Sequence, residues 1–145
     1  VKGRDFGKAF EEIFLERAHA NGLFARKNPL SCRHTWAGRL QLIKGLLDFM
    51  VISPQGIVGY FDTKSFGGDR FAYSDIDEGQ LKMVDTFNKW NVPSGFVVYF
   101  RDMDRVVYYK AGDLYRKGPR SSFGPVDGQF IGTLFSFDLR GLVGA

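Results

Sequence analysis

Leu46-Leu47-Asp48-Phe49-Met50-Val51-Ile52 and Ile57-Val58-Gly59-Tyr60-Phe61-Asp62-Thr63-Lys64 are two apolar runs separated by Ser53-Pro54-Gln55-Gly56. Near-continuous apolar runs of this length mark buried strands, and the turn-formers between them predict a β-hairpin. Both runs carry charge in an expensive place: Asp48 in the first, Asp62 and Lys64 in the second. An uncompensated charge in an apolar strand costs several kcal/mol. With the loop centred on Gln55, Asp48 and Asp62 are equidistant from it and lie opposite one another. Directly opposed residues hold their Cβ atoms ~4.5–5.5 Å apart on one face. Two carboxylates so placed repel, and one pKa rises. A divalent cation relieves the conflict, and oxygen ligands completed by water suit Mg²⁺ or Mn²⁺. Lys64 projects to the same face because strand side chains alternate. An ammonium there can orient an attacking water or stabilise a developing phosphoryl charge. A plainer reading is also open, in which the aspartates end their strands in solvent and Lys64 is an ion-pair partner. A one-residue slip of register sends Asp48 to the other face.

Working outward, Phe6, Phe10, Ile13, Phe14 and Arg17 recur at helical spacing, with Asp5 as a candidate cap and Asn21-Gly22 as a stop. Leu23 to Lys27 is expected as a short strand ended by Asn28-Pro29, and residues 30–45 sustain no period. Downstream, Ser74 with Asp77 forms a candidate capping box for a helix placing Leu81, Val84 and Phe87 on one face. Gly95 to Arg101 and Val106 to Lys110 are expected strands around the Asp102-Met103-Asp104 turn. Residues 116–145 are rich in Gly and Pro and are expected as loops, with one short strand within Phe130–Phe137. The order α-β-β-β-α-β-β predicts a single α/β domain over residues 1–145, with a mixed sheet and a core over 3–115.

The chain has 145 residues, 44% of them hydrophobic and 25% charged, which excludes a disordered, collagen-like or disulfide-scaffold class. No run approaches the ~20 apolar residues of a membrane span, so no membrane association is expected. Val1 to Asp5 has no apolar stretch, so no signal peptide is expected. The single cysteine, Cys32, fits a reducing, cytoplasmic setting. The net charge of +4 is unevenly spread. From Arg17 to Lys44 come Arg17, Arg26, Lys27, Arg33, Arg39 and Lys44 with no carboxylate among them. A one-signed segment of this length is either a solvated face or an attractor of polyanions, phosphate first among them.

The sequence lacks a Gly-x-Gly-x-x-Gly run and a complete P-loop, so no organic cofactor is expected. One Cys and two His make a cysteine zinc site or a Ser-His-Asp triad a poor fit. The carboxylates remain. On a helical wheel Glu11 and Glu16 border opposite edges of the first helix's apolar stripe, and geometry does not choose between them.

Five pieces in order carry a resemblance: Gly7-Lys8-Ala9-Phe10-Glu11; Leu23 to Pro29; Asp48 with Asp62-Thr63-Lys64-Ser65; Asp77-Glu78-Gly79-Gln80-Leu81; and Ser94 to Phe100 followed by Ala111-Gly112-Asp113-Leu114-Tyr115. Together they resemble the PD-(D/E)xK nuclease superfamily, and more narrowly its Holliday-junction resolvases of the RecU and archaeal Hjc types. Leu47 stands where that motif has Pro, Asp62 where it more often has Glu, and Gly79 where it has His. The 16 residues from Leu30 to Gly45 are much shorter than the RecU stalk. The resemblance implies a restriction-endonuclease-like αβββαβ core and a Mg²⁺-dependent endonuclease, with Mn²⁺ able to substitute. It further implies a homodimer that cuts four-way DNA junctions. On that basis Asp48 and Asp62 bind metal with the Thr63 carbonyl, Lys64 orients the water, Glu11 binds metal directly or through water, and Gln80 positions water. Arg17, Arg26, Lys27, Arg33, Arg39 and Lys44 hold DNA. Another nuclease on the same core, or a DNA-binding module without cleavage, are the rival readings.

Overall fold

The computed structural model describes residues 3–28, 32–34, 40–42 and 47–144. The order is α1 (Gly3–Ala20), β1 (Phe24–Lys27), β2 (Cys32–His34), β3 (Leu40–Leu42), β4 (Phe49–Ile52), β5 (Val58–Phe66), β6 (Phe71–Ala72), α2 (Glu78–Lys89), β7 (Ser94–Phe100), β8 (Arg105–Tyr109), α3 (Ala111–Tyr115), β9 (Ser122–Phe123) and β10 (Gln129–Gly132). Six strands form one sheet in the order β1-β4-β5-β7-β8-β10. Among the described residues only β5 and β7 pair in parallel, joined by the α2 crossover, and the other pairs of this sheet are antiparallel.

The β4–β5 hairpin has the predicted register. Phe49 faces Phe61 and Ile52 faces Val58, about a tight turn in which Gly56 takes a positive φ of 86° and donates to the Ser53 carbonyl. Only a residue without a Cβ adopts that conformation cheaply. Alternation then sorts the side chains. Phe49, Val51, Phe61, Val97, Val106 and Tyr108 pack with Phe10 and Phe14 of α1 on one face. Phe96, Val98, Phe100, Val107 and Tyr109 pack with Leu81 and Val84 of α2 on the other.

Three expectations change. The cap of α2 is Asp77, whose side chain accepts from the Gln80 amide, whereas Ser74 lies in a separate 3-10 turn at Tyr73–Asp75. That earlier turn is closed by Asp75 accepting from the Ala72 amide, so α2 begins one turn later. Asp5, expected as the cap of α1, lies inside its first turn. The C-terminal segment has the expected short strand, β10, as the sixth of the sheet, but it also belongs to the core: Phe137, Leu139 and Val143 are buried on the α1 face. The untyped residues 30–45 include a two-stranded ribbon, β2 paired with β3. No described helix is long and apolar enough to cross a membrane.

Phe137 lies 5.8 Å from the Phe10 ring centroid and 6.5 Å from that of Phe14. Arg17 Nε donates to its carbonyl at 3.0 Å. The tail is thus a wall of the core. Phe137→Ala is expected to cost about 3–5 kcal/mol of unfolding free energy, measured by urea denaturation. A loss below ~1 kcal/mol would show the tail to be peripheral.

Candidate active site

The two aspartates sit where the β4–β5 ladder opens. Asp48 lies in a bend just before Phe49, at the position that faces Asp62 if the hairpin register is continued. Asp62 is completely buried within β5. On the same face, Lys64 Nζ is 3.0 Å from Asp62 Oδ2. Gln80, from the first turn of α2, donates its Nε2 to Asp62 Oδ1 at 3.1 Å and accepts from Lys64 Nζ at 3.4 Å. The Asp77 cap fixes the backbone of Gln80 and so aims this side chain at β5. Asp62, Lys64 and Gln80 therefore form one hydrogen-bonded and ion-paired group. Thr63 projects to the opposite face and is buried, which leaves only its main chain to contribute here.

Burial pushes the Asp62 carboxyl up to about 7; Lys64 opposes this, and the hydrogen-bonding proximity and charge of Asp48 add to it. Asp62 Oδ2 has the Lys64 ammonium beside it, yet it is buried and accepts no hydrogen bond with good geometry among the described residues. A buried carboxylate oxygen held only by an ion pair, next to a second carboxylate, fits a hard cation bound through oxygen. Asp48 and Asp62 are the residues that would hold it. Among the described residues, no group of three acidic, His or Cys side chains is assembled.

Glu11 is held elsewhere. Its Oε2 accepts from Lys27 Nζ at 2.6 Å. Glu16 is exposed, so the edge of the helix that meets β1 is the Glu11 edge. Of the basic residues, Arg26 is exposed on β1 and Lys27 holds Glu11, while Arg17 spends its Nε on the C-terminal segment. Arg33 lies in β2; Arg39 and Lys44 lie outside the described residues.

Asn28 is the residue that sequence reading missed. Its amide donates to the Asp48 carbonyl at 2.6 Å, and its side chain donates to the Leu47 carbonyl at 3.0 Å. It pins the bend carrying Asp48 to the end of β1. Asn-Pro after a strand signals a stop, and an Asn at a stop is free to bond neighbouring backbone. That was the available clue.

Asp62 also sets a pH dependence. Its folded-state pKa of about 7 lies above the ordinary aspartate value of 3.8. Between these values the folded state holds the proton and the unfolded state does not. Stability of the metal-free protein therefore falls as pH rises from about 4 to 7. Asp62→Asn is expected to flatten that segment of the profile and to be the more stable protein at pH 8, measured by urea midpoints across pH. Parallel profiles for both proteins would contradict the burial argument.

No protein-family profile matches this sequence, and no curated protein matches it. In three dimensions the chain is similar to the Hjc of Archaeoglobus fulgidus, a Holliday junction resolvase from an archaeal hyperthermophile. The TM-score is 0.63 at 11% identity, over 86% of this chain and 96% of that one. It is also similar to a solved VRR_NUC domain, with a TM-score of 0.44 at 23% identity over 67% and 87% of the two chains. The mixed sheet, with α1 on one face and α2 on the other, is the restriction-endonuclease-like fold that the archaeal structure has.

Proposed function

We propose that this protein is a metal-dependent, structure-selective DNA endonuclease that resolves four-way junctions by paired phosphodiester hydrolysis. One observation carries the reading: two neighbouring carboxylates, one of them fully buried, share a site with Lys64 and Gln80. A solvated ion pair needs no second carboxylate beside it and no buried partner. The likeness in fold to the archaeal resolvase supports the same reading.

Asp48 and Asp62 hold the cation, with the Thr63 main chain as a further oxygen. A bound Mg²⁺ supplies Lewis-acid polarisation of the scissile phosphate and a lowered pKa for the attacking water. The residues of the chain do the rest. Lys64, a quarter exposed, reaches from the buried carboxylate toward solvent and donates to the water or to the developing phosphoryl charge. Gln80 fixes Lys64 and Asp62 relative to one another and positions water from the start of α2. Glu11 supplies a direct or water-mediated contact to the metal, a role that rests on the motif at the head of the first helix. Arg26, Lys27, Arg33, Arg39 and Lys44 hold phosphates along the arms, joined by whatever donor capacity Arg17 retains. Such contacts carry no sequence information, so selectivity comes from the shape of the substrate. Paired cuts in opposed strands require two sites related by symmetry, hence a C2 homodimer.

Labelled four-way junction and matched linear duplex, each with Mg²⁺ and with chelator, provide the test. Paired nicks in the junction alone, lost with chelator, are the expected result. Equal cutting of both substrates would keep the chemistry and withdraw the junction. Binding without cutting under any divalent metal would make the protein a binding module. Asp62→Asn is expected to keep junction binding and lose cleavage by at least about a hundredfold, the scale of losing an electrostatic catalytic group. Affinity is expected to fall steeply between about 50 and 200 mM salt, with a log–log slope of roughly −0.9 per phosphate contact. A flat salt response would remove the basic segment from the interface.

A further inference from the structure

We infer that Asn28 is a positioning residue that fixes the direction of the Asp48 carboxylate, and through it makes the site selective for small octahedral cations over Ca²⁺. This rests on the reading of Asp48 and Asp62 as cation ligands and adds what sets the spacing between them.

The two aspartates are not held alike. Asp62 lies within β5, between β4 and β7, facing Phe96 in the β7 ladder, and its oxygens are held by Lys64 and Gln80. Asp48 lies one residue outside the β4–β5 ladder, in a bend. Residues two apart in a strand share a face, yet Leu47 is buried with the α2 core and Phe49 with the α1 core. The chain therefore turns at Asp48, and the pleat of the strand alone does not aim its side chain. Asn28 supplies what the pleat does not. Its side-chain amide donates to the Leu47 carbonyl at 3.0 Å, and its main-chain amide to the Asp48 carbonyl at 2.6 Å. Those carbonyls belong to the two peptide planes on either side of the Asp48 Cα. Peptide planes are rigid, so holding both fixes the φ and ψ of Asp48 and with them the direction of its Cα–Cβ bond. The main-chain bond continues the β1–β4 register, in which Lys27 faces Phe49, and any residue but proline at 28 can make it. The bond to Leu47 needs a short side chain with a donor, which is what asparagine adds.

With Asp62 fixed by the sheet, the separation of the two carboxylates is set at Asp48. A divalent cation responds to that separation through its coordination distances. Mg²⁺ demands near-octahedral geometry at about 2.0–2.1 Å, whereas Ca²⁺ accepts oxygens at about 2.3–2.6 Å in flexible arrangements. A fixed Asp48 suits the first, and a loosened one still satisfies the second. Partners that orient a ligating side chain typically carry about ten- to a hundredfold of metal affinity.

Cation binding to the DNA-free protein tests this without relying on cleavage. Free Mn²⁺, which shares the oxygen chemistry of Mg²⁺, is read by electron paramagnetic resonance, and Mg²⁺ and Ca²⁺ by their displacement of it. Asn28→Ala is expected to weaken Mn²⁺ and Mg²⁺ binding about tenfold, and Ca²⁺ binding no more than about twofold. Asn28→Leu keeps the volume without the donor and is expected to shift the Mg²⁺ over Ca²⁺ preference equally. Phe137→Ala loosens the α1 core without touching Asn28 or Asp48, and is expected to keep the parent's preference within about twofold. Urea unfolding confirms that each variant is folded under the assay conditions. Equal losses for all three ions, or a preference shifted as far by Phe137→Ala, would make Asn28 a prop for the fold and overturn its positioning role. Unchanged binding of every ion would overturn it too. Those outcomes leave the aspartate site standing. A parent protein that binds no divalent cation, with or without a short duplex, would overturn the cation reading beneath it.

Discussion

The structure turns on a carboxylate placed where carboxylates are most expensive. Asp62 is fully buried in the third strand of a six-stranded sheet, opposite another aspartate. Its compensation is partial: an ammonium at 3.0 Å on one oxygen and one amide hydrogen bond on the other. The imbalance is visible in a proton affinity raised to about 7. Apolar residues on the same strand would cost nothing of the kind. Perturbed groups of this sort collect where chemistry is done, and local rules are broken at functional sites more often than elsewhere.

Every nearby element bears on that carboxylate. The hairpin register sets Asp48 against it, and the Asn28 clamp on the Leu47 and Asp48 carbonyls holds the bend in place. The Asp77 cap delivers Gln80 from above. The rigid frame behind the site comes from two separate cores, one on each face of the sheet. The C-terminal segment closes the first of them through Phe137 and Leu139. A fixed position for Asp62 requires both cores, because β5 and β7 carry side chains into each.

The hairpin was legible because everything that sets it is local. A four-residue turn fixes the register, and alternation fixes the faces. The first helix was legible for the same reason, its stripe and its Asn21-Gly22 stop being adjacent in sequence. What escaped depends on contacts between distant residues. The Arg17 bond to the Phe137 carbonyl spans 120 positions, and no periodicity in the Gly-rich tail announces a wall of the core. The choice between Glu11 and Glu16 is of the same kind. Both border the apolar stripe, and only the end of β1, through Lys27, distinguishes the two edges by pairing with Glu11. The shifted start of α2 came from competition between nearby caps, in which Asp75 served an upstream turn and left Asp77 to begin the helix.

The shorter acid at position 62 has a structural consequence of its own. An aspartate carries its carboxylate one methylene closer to the backbone than a glutamate, and here that leaves it flush with the interior of the sheet. The long side chains come down to it instead. Lys64, anchored two residues along the same strand, and Gln80, from the opposing helix, meet each other at 3.4 Å while both contact the carboxylate. Asp62 has no exposed surface, whereas Lys64 keeps a quarter of its side chain in solvent. Any molecule that approaches from solvent therefore meets the lysine before the acid. The depth of Asp62 makes Lys64 and Asp48 the accessible face of the site, with the buried aspartate as its floor.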